Sequence, residues 1–537
     1  GGGGAAKADF TFGEPTNLGV LVNSPQNDVG GFISEDGLEL YFNSRNRPGG
    51  YGNWDIWVAR RADKRDEWGI AVNVGPPVNS SQNDGVASLS ADGLEMYLSS
   101  NRPGGQGLSD LYVSTRPSKE APWAEPVNLG AVLNSSSDDA WPLISSDRLE
   151  LFFHSNRAGG LGNLDIYVTT RATASDPWGP PTNLGPTFNS PTRDYGGWLS
   201  PDGLRFLLAS DRPGGFGGMD TWMASRPSKD LPWTTPVNLG QPLNTAYADL
   251  ANSVSPDGLL LYLDDETAPR PGGFGGSDLW QVPIIPIVDF NGDGLVEIGD
   301  LVMLIESWGK AEPLCDIGPT PLGDGKIDAA DLEVLMGCWG QEVNDPTLLA
   351  HWTLDEASGP IAADSAGTND GTLLGNPTWQ PTGGKIGGAL QFDGGPRFVT
   401  TKFVRDPAAG PLSVLAWVKG GAPSQTIISQ QGGVNWLMVG TPQGALTTGL
   451  SAGGRIAKPL ASAAVITDGA WHRVAFVWDG STRILYVDGI EVARDSQTAL
   501  AASVGGLYIG AGSTLAPGTF WKGLLDDVRI YNRAVKP

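Results

Sequence analysis

The sequence predicts a mostly β chain of three modules: a five-bladed β-propeller over residues 1–286, a small helical loop module over 287–341, and a β-sandwich of jelly-roll type over 348–537. Three observations lead there. One paragraph of sequence recurs five times at nearly constant spacing. The stretch "DFNGDGLVEIGD" sets acids and glycines at loop-like intervals and runs straight into an apolar periodic pattern. The last third consists of short alternating segments separated by Asp-Gly turns. A chain of 537 residues is also too long for one ordinary domain.

The repeat fixes the first module. "SADGLEMYLSSNRPGGQGLSDLYVSTRP" has four relatives, anchored at Asp36, Asp92, Asp147, Asp202 and Asp257, with spacings of 56, 55, 55 and 55. In each copy a strand leads to the Asp-Gly turn, an alternating strand follows, and a glycine-rich turn opens a third strand. Linkers such as "PWAEPVNLG" supply a fourth, and four strands repeated radially make a propeller. The last copy stops after its third strand, while "FTFGEPTNLG" near the N-terminus matches the fourth. The N-terminus is therefore expected to complete the last blade. The motif "SPDG…LYFSSNRPGG" resembles the TolB-type propeller repeats of bacterial envelope and secreted proteins, which implies a five-bladed ring without implying one function.

Three charged series recur in the repeat. Asp28, Asp84, Asp139, Asp194 and Asp249 stand eight residues before each anchor. Arg47, Arg102, Arg157, Arg212 and Arg270 follow the second strand, and Asp55, Asp110, Asp165, Asp220 and Asp278 open the third. The expected role is pairing and turn capping inside each blade, because an asymmetric site does not need one residue five times. The sharper alternative sets two or three of the first aspartates around the axis as acid and base on a sugar, as in five-bladed glycosidases. His154, alone on its strand, reads as a packed residue.

In "DFNGDGLVEIGD" the oxygens at calcium-loop spacing are Asp289, Asn291, Asp293, the Leu295 carbonyl, Glu297 and Asp300, and Gly294 takes the sharp turn. The following "DLVMLIESWG" places Leu301, Leu304, Ile305 and Trp308 on one helical stripe, repeated downstream as Leu332, Leu335, Met336 and Trp339. A second loop, "DIGPTPLGDGKIDAAD", is four residues longer. Asp324, the Lys326 carbonyl, Asp328 and Asp331 keep its register, and Asp316 either reaches back or leaves the site weak or empty. Two such units resemble a type I dockerin, which implies bound Ca2+ and a cohesin-like partner on the helix faces; the alternative is a calcium-stiffened link between domains. Cys315 and Cys338 are the only cysteines. Confined to one small module, they predict a disulfide closing a loop of about 23 residues, worth about 3 kcal/mol. The alternative is two buried thiols.

The phrases "LLAHWTLDEASG", "IGGALQFDGG", "AWHRVAFVWDGSTRILYVDGIEVAR" and "LLDDVRIYNRAV" resemble the laminin-G-like, concanavalin A-like lectin/glucanase family. The resemblance implies a jelly roll that binds glycans or proteins, with a calcium near its rim at segments holding Asp364 and Asp526. Trp417, Trp471 and Trp478 alternate with apolar neighbours and read as core. Trp436, in "QQGGVNW", reads as an exposed stacking residue. The acid pair of glucanases is not visible.

Lys plus Arg is 35 and Asp plus Glu 59, a net charge of −24, which disfavours nucleic acid and anionic membranes. Three histidines make a His-rich zinc site or multi-histidine catalysis a poor expectation. No apolar run reaches the ~20 residues of a membrane span. The chain starts at Gly1 without Met, which reads as a fragment or a processed product. The expected protein is an extracellular or cell-surface, calcium-dependent binder of carbohydrate or of another surface protein, with no catalytic residues assigned. A secreted glycoside hydrolase and a structural matrix component are the alternatives.

Overall fold

The computed structural model describes residues 10–266, 270–310, 315–341, 345, 347–441, 443–452, 458–497 and 499–537. They form two compact units, one of Phe10–Pro286 with Thr320–Asp324, the other of Ile287–Pro319 with Gly325–Pro537.

The first unit is the five-bladed propeller. Blade 1 runs from its innermost strand Asn27–Ile33 through Glu39–Arg45 and Trp54–Arg60 to Val72–Asn73, all antiparallel. Blades 2, 3 and 4 repeat that order. Blade 5 takes Leu250–Val254, Leu260–Asp264 and Leu279–Pro286 from its own copy, and its outer strand from the N-terminus. There Thr16 pairs with Gln281 and Asn17 with Trp280, and Phe10–Phe12 pairs further along the same strand. The expected closure is present. Leu322 is buried in this unit beside Phe10, Phe12 and Trp280.

Each blade locks its charges locally. The first-series aspartates are all fully buried. Each takes a main-chain N–H from the Ser or Thr four residues earlier, for example Ser24 to Asp28 at 2.5 Å and Ser190 to Asp194 at 2.6 Å. Each also meets the arginine of its own blade, Arg102 to Asp84 at 2.7 Å and Arg212 to Asp194 at 2.5 Å, with Arg157–Asp139 and Arg270–Asp249 alike and Arg47–Asp28 looser at 3.4 Å. The same guanidinium donates to a carbonyl (Val78 for Arg102, 2.6 Å) and lies over a third-strand ring (Tyr112, 5.2 Å).

In the second unit, α1 (Ile298–Ser307) and α2 (Ala329–Gly337) pack through Leu304 and Leu335 onto Val288, Phe290, Val296, Ile317 and Ile327. Two eight-stranded antiparallel sheets make the jelly roll around a core that includes Trp352, Trp436 and Trp521. The hairpins turn at Asp479-Gly480 and Asp488-Gly489, as their sequence predicts.

Four expectations change. Only Leu301, Leu304, Leu332 and Leu335 of the two predicted stripes face this core; Ile305, Trp308, Met336 and Trp339 are 57, 44, 48 and 39 % exposed. Trp436 is fully buried instead of exposed, because its strand Asn435–Val439 lies inside the second sheet. Trp478 is core, but Trp417 and Trp471 are only half-buried. The described residues hold no disulfide, and Cys315 and Cys338 instead sit in the same apolar cluster under the helices.

Candidate functional site

The propeller's axis is lined by Gly30, Gly31, Phe32, Ser88, Trp141, Pro142, Leu143, Gly197 and Asn252, one or more from each blade. These residues sit at a β-bulge that interrupts all five innermost strands. A bulge re-aims side chains, and here it turns toward the axis mostly buried positions at which the repeats differ. The throat is narrow, with room for about one water molecule. Asp28, Asp84, Asp139, Asp194 and Asp249 do not line it; their oxygens are engaged within their own blades.

Sequence reasoning missed a second acid cluster here. Asp264 is fully buried and accepts from Gly30 N at 2.8 Å, Asn252 Nδ2 at 3.0 Å and Glu266 N at 3.0 Å. Burial, with Glu266 nearby, raises its pKa to about 7. Burial raises Glu266 as well, against the pull of Arg193 and Arg45. The signal was available: "LYLDDETAPR" breaks the Ser-Asn-Arg pattern of the other copies. His154 is 5 % exposed and packs 4.9 Å from Tyr195 and 5.8 Å from Trp141; burial lowers its pKa to about 4.

The two loops of the helical module share one hydrogen-bond plan. Asp289 accepts from Gly292 N at 2.7 Å and Gly294 N at 2.9 Å, and Asp300 from Phe290 N at 2.7 Å and Glu297 N at 3.0 Å. In the longer loop Asp316 accepts from Gly325 N at 2.8 Å, and Asp331 from Ile317 N at 2.6 Å and Asp328 N at 2.7 Å. Gly292, Gly294, Gly323 and Gly325 all have positive φ, at 71, 89, 66 and 85°, so the backbones match despite the insertion. Asp316 thus bonds the main chain at the far end of its loop. Asn291 Oδ1 takes Asp293 N at 2.8 Å and Asp293 takes Leu295 N at 3.0 Å. Asp324 is half-buried, while Leu295, Glu297, Lys326 and Asp328 are exposed.

Burial raises the Asp289 pKa to about 6, with Arg533 opposing and the charges of Asp300 and Asp293 adding to the rise. Among the described residues no group of three or more His, Cys, Asp or Glu side chains is placed so as to hold a metal ion. What fits a hard cation is the oxygen-only loop and its two left-handed glycines, while the carboxylates point at main-chain N–H groups.

The first loop is fastened to the jelly roll, a feature the sequence did not reveal. The Gly292 carbonyl accepts from Arg473 at 3.1 Å, Tyr531 at 3.2 Å and Arg529 at 3.4 Å. The Asp289 carbonyl accepts from Arg533 at 2.9 Å, and Arg533 also pairs with Asp345 at 2.9 Å. Asp527 joins Arg529 at 2.9 Å and His351 at 2.7 Å.

At the rim, Asp364 and Asp526 have different neighbours. Asp364 accepts from His351 N, Ala366 N and Asn369 N at 2.9, 3.1 and 2.9 Å and so shapes its own turn. Asp526 is fully buried, takes Lys385 N at 2.7 Å and Ile386 N at 2.9 Å on Oδ2, and has no hydrogen bond to Oδ1 among the described residues. Burial, then the charges of Asp527 and Asp355, raise its pKa to about 7. Asp355 accepts from Gly388 N in the same glycine-rich loop.

Residues 393–537 match the Laminin_G_3 family, described as the concanavalin A-like lectin/glucanases superfamily. The jelly roll is therefore of lectin/glucanase type. No curated protein matches the chain. Among solved structures, it is similar to Trypanosoma rangeli sialidase, at 12 % identity over 95 % of this chain and 92 % of that one, with a TM-score of 0.38. Domain 4 of AbnA, a GH43 extracellular arabinanase from Geobacillus stearothermophilus, solved with arabinotriose, is 21 % identical over 35 % of this chain and 94 % of that one, with a TM-score of 0.25. The binding domain of Paraclostridial Mosquitocidal Protein 1 is 11 % identical over 36 and 50 %, with a TM-score of 0.30. No described helix is long and apolar enough to cross a membrane.

Proposed function

We propose that this chain is an extracellular, calcium-dependent carbohydrate-binding protein whose jelly roll is the recognition domain. The observation that carries the reading is the lectin/glucanase match over 393–537 within a complete two-sheet sandwich. Calcium would be held by Asp289, Asn291, Asp293, the Leu295 carbonyl, Glu297 and Asp300 in the first loop, and by Asp316, Asp324, the Lys326 carbonyl, Asp328 and Asp331 in the second. A rim ion would use Asp526, with Asp355 in place of Asp364. Bound there, a divalent cation supplies positive charge to buried carboxylates that now crowd one another.

The helical module would dock a cohesin-like partner. Supporting this, Ile298, Val302, Ile305 and Trp308 on α1 are 59, 46, 57 and 44 % exposed, and Met336 and Trp339 repeat the last two at the same 31-residue offset.

A glycan array run with and without EGTA tests the main reading. Binding that EGTA abolishes supports it, binding indifferent to EGTA removes calcium from it, and an empty array overturns it. One observation favours a second reading, a glycoside hydrolase: the buried, mutually perturbed acids Asp264 and Glu266 beside the axial residues Gly30 and Asn252. Sugar release from the same glycans, lost in Asp264→Asn, would establish it. Neither binding nor turnover would leave a structural matrix role.

A further inference from the structure

The glycine-rich turn between the second and third strands ends each blade in the same way, and its tip residue is Tyr51, Gln106, Leu161, Phe216 or Phe274 in blades 1 to 5. The third-strand aspartate accepts the tip's own N–H, Tyr51 to Asp55 at 2.7 Å and Phe216 to Asp220 at 2.6 Å, with Phe274 to Asp278 alike. The following glycine presses on the connector of the next blade. A Cβ on Gly52, Gly217 or Gly275 would lie 1.8, 2.1 or 2.3 Å from the carbonyl oxygen of Gln82, Tyr247 or Gln26. The main chain at the tip is thus fixed, and the side chain is turned outward: Tyr51, Phe216 and Phe274 are 56, 40 and 49 % exposed. An apolar ring held in the open by a rigid turn loses little freedom on binding.

The five junctions are not equivalent. The three aromatic tips belong to consecutive blades 4, 5 and 1. The connector residue before the buried aspartate is uncharged at their junctions, Ala248, Asn27 and Asn83, but is Asp138 or Arg193 beside Gln106 and Leu161. Around the aromatic arc stand further amides and a phenol: Asn53 donates to Asn83 at 3.2 Å, Gln26 and Gln82 are half-buried, and Tyr247 is 37 % exposed. Aromatic faces flanked by amides and hydroxyls match the C–H faces and hydroxyls of a neutral sugar. The net charge of −24 disfavours a polyanion.

We propose that Phe216, Phe274 and Tyr51 form a second carbohydrate-contact surface, on the propeller, that takes a neutral polysaccharide across several blades. It rests on the carbohydrate reading above. Three weak subsites on one repeating polymer add through effective concentration, so the surface favours long chains over short ones.

The test is depletion of the full chain by insoluble cellulose, β-1,3-glucan, xylan and chitin, with soluble oligosaccharides of the retained type as competitors. The triple variant Tyr51→Ala/Phe216→Ala/Phe274→Ala is expected to weaken retention at least tenfold, and Leu161→Ala to leave it unchanged. Thermal melts check that these exposed positions leave folding intact. Retention unchanged in the triple variant overturns the inference; if Asp526→Ala abolishes retention in that case, the jelly-roll reading stands alone. Retention lost in the triple variant and kept in Asp526→Ala supports the arc and removes the jelly roll. A wild-type chain retained on none of the four polymers overturns the arc and the carbohydrate reading together.

Discussion

Asp194 in the propeller and Asp526 in the jelly roll are both fully buried carboxylates. The first has an arginine at 2.5 Å, and its four equivalents around the ring each meet the arginine of their own blade, Asp28 more loosely at 3.4 Å. The second has two main-chain N–H groups on one oxygen, none of the described residues bonded to the other, and the acids Asp527 and Asp355 nearby. A buried charge costs several kcal/mol unless it is compensated. The propeller compensates it five times over with the same local device, which marks that device as scaffold. The jelly-roll unit uses single-copy arrangements, and these hold its join to the first loop and its uncompensated acid. Repetition identifies structure; departure from repetition identifies where a ligand or a partner belongs.

The largest effect should come from the single-copy join. Arg533→Ala removes the partner of Asp345 and the donor to Asp289 O, leaving a buried carboxylate. It should destabilise the jelly-roll unit by about 4 kcal/mol, read by urea unfolding of the full chain. A loss below about 1 kcal/mol would show that the join is as dispensable as a surface pair.

The repeated device predicts uniformity instead. Arg102→Leu and Arg212→Leu each lose an ion pair, a carbonyl bond and a ring contact of matching geometry. Each should cost about 3 kcal/mol and the two should agree within about 0.5 kcal/mol. Unequal costs would break the equivalence that separates scaffold from site.

The closing strand sharpens the same comparison. Asn17 reaches Asp278 at 2.9 Å from the N-terminus, and Asn128 reaches Asp110 at 2.9 Å within a single copy. Replacing either by Ala should cost about 1.5 kcal/mol. A much larger loss at Asn17 would mean that the seal of the ring is weaker than its blades.

How legible all this was in the sequence follows from the same logic. The five blades and the N-terminal closure were legible because each copy restates one hydrogen-bond plan with the same residue types. The loop backbones were legible because Gly294 and Gly325 stand where only a left-handed residue fits. The helix stripes were half misread. Periodicity places Leu304 and Ile305 on one side, but a module this small covers only the Leu304 side, so Ile305 and Trp308 remain exposed. Trp436 was misread because a glycine-rich approach says nothing of whether the next strand is central or at an edge. The fastening of Gly292 by Arg473, Arg529 and Tyr531 was invisible, since its donors lie 181, 237 and 239 positions further along the chain.

The smallest effect is a titration, and it asks whether a departure from the repeat carries a cost. His154 stands where Asn43, Ser99 and Ala209 stand in other blades, each one residue before the serine that faces the first-series aspartate. Burial lowers its pKa from 6.5 to about 4, with Asp139 partly opposing. A group whose folded pKa is depressed takes up protons more readily when unfolded. Its contribution to stability is therefore complete above pH 6.5 and is lost as pH falls toward 4. Between pH 6.5 and 5.5 the His154 share of the propeller's stability should fall by about 1 kcal/mol. Asp264, raised to about 7, acts in the opposite sense: its share is present at low pH and lost as pH rises through 7. The two slopes overlap, so the wild-type curve alone does not separate them. His154→Leu should remove the acid-side loss and leave the Asp264 slope exposed, so that the variant gains stability from pH 6.5 to 5.5. A variant that still loses stability over that interval would place the acid sensitivity elsewhere in the ring, and the His154 position would then be a substitution that the blade absorbs without cost.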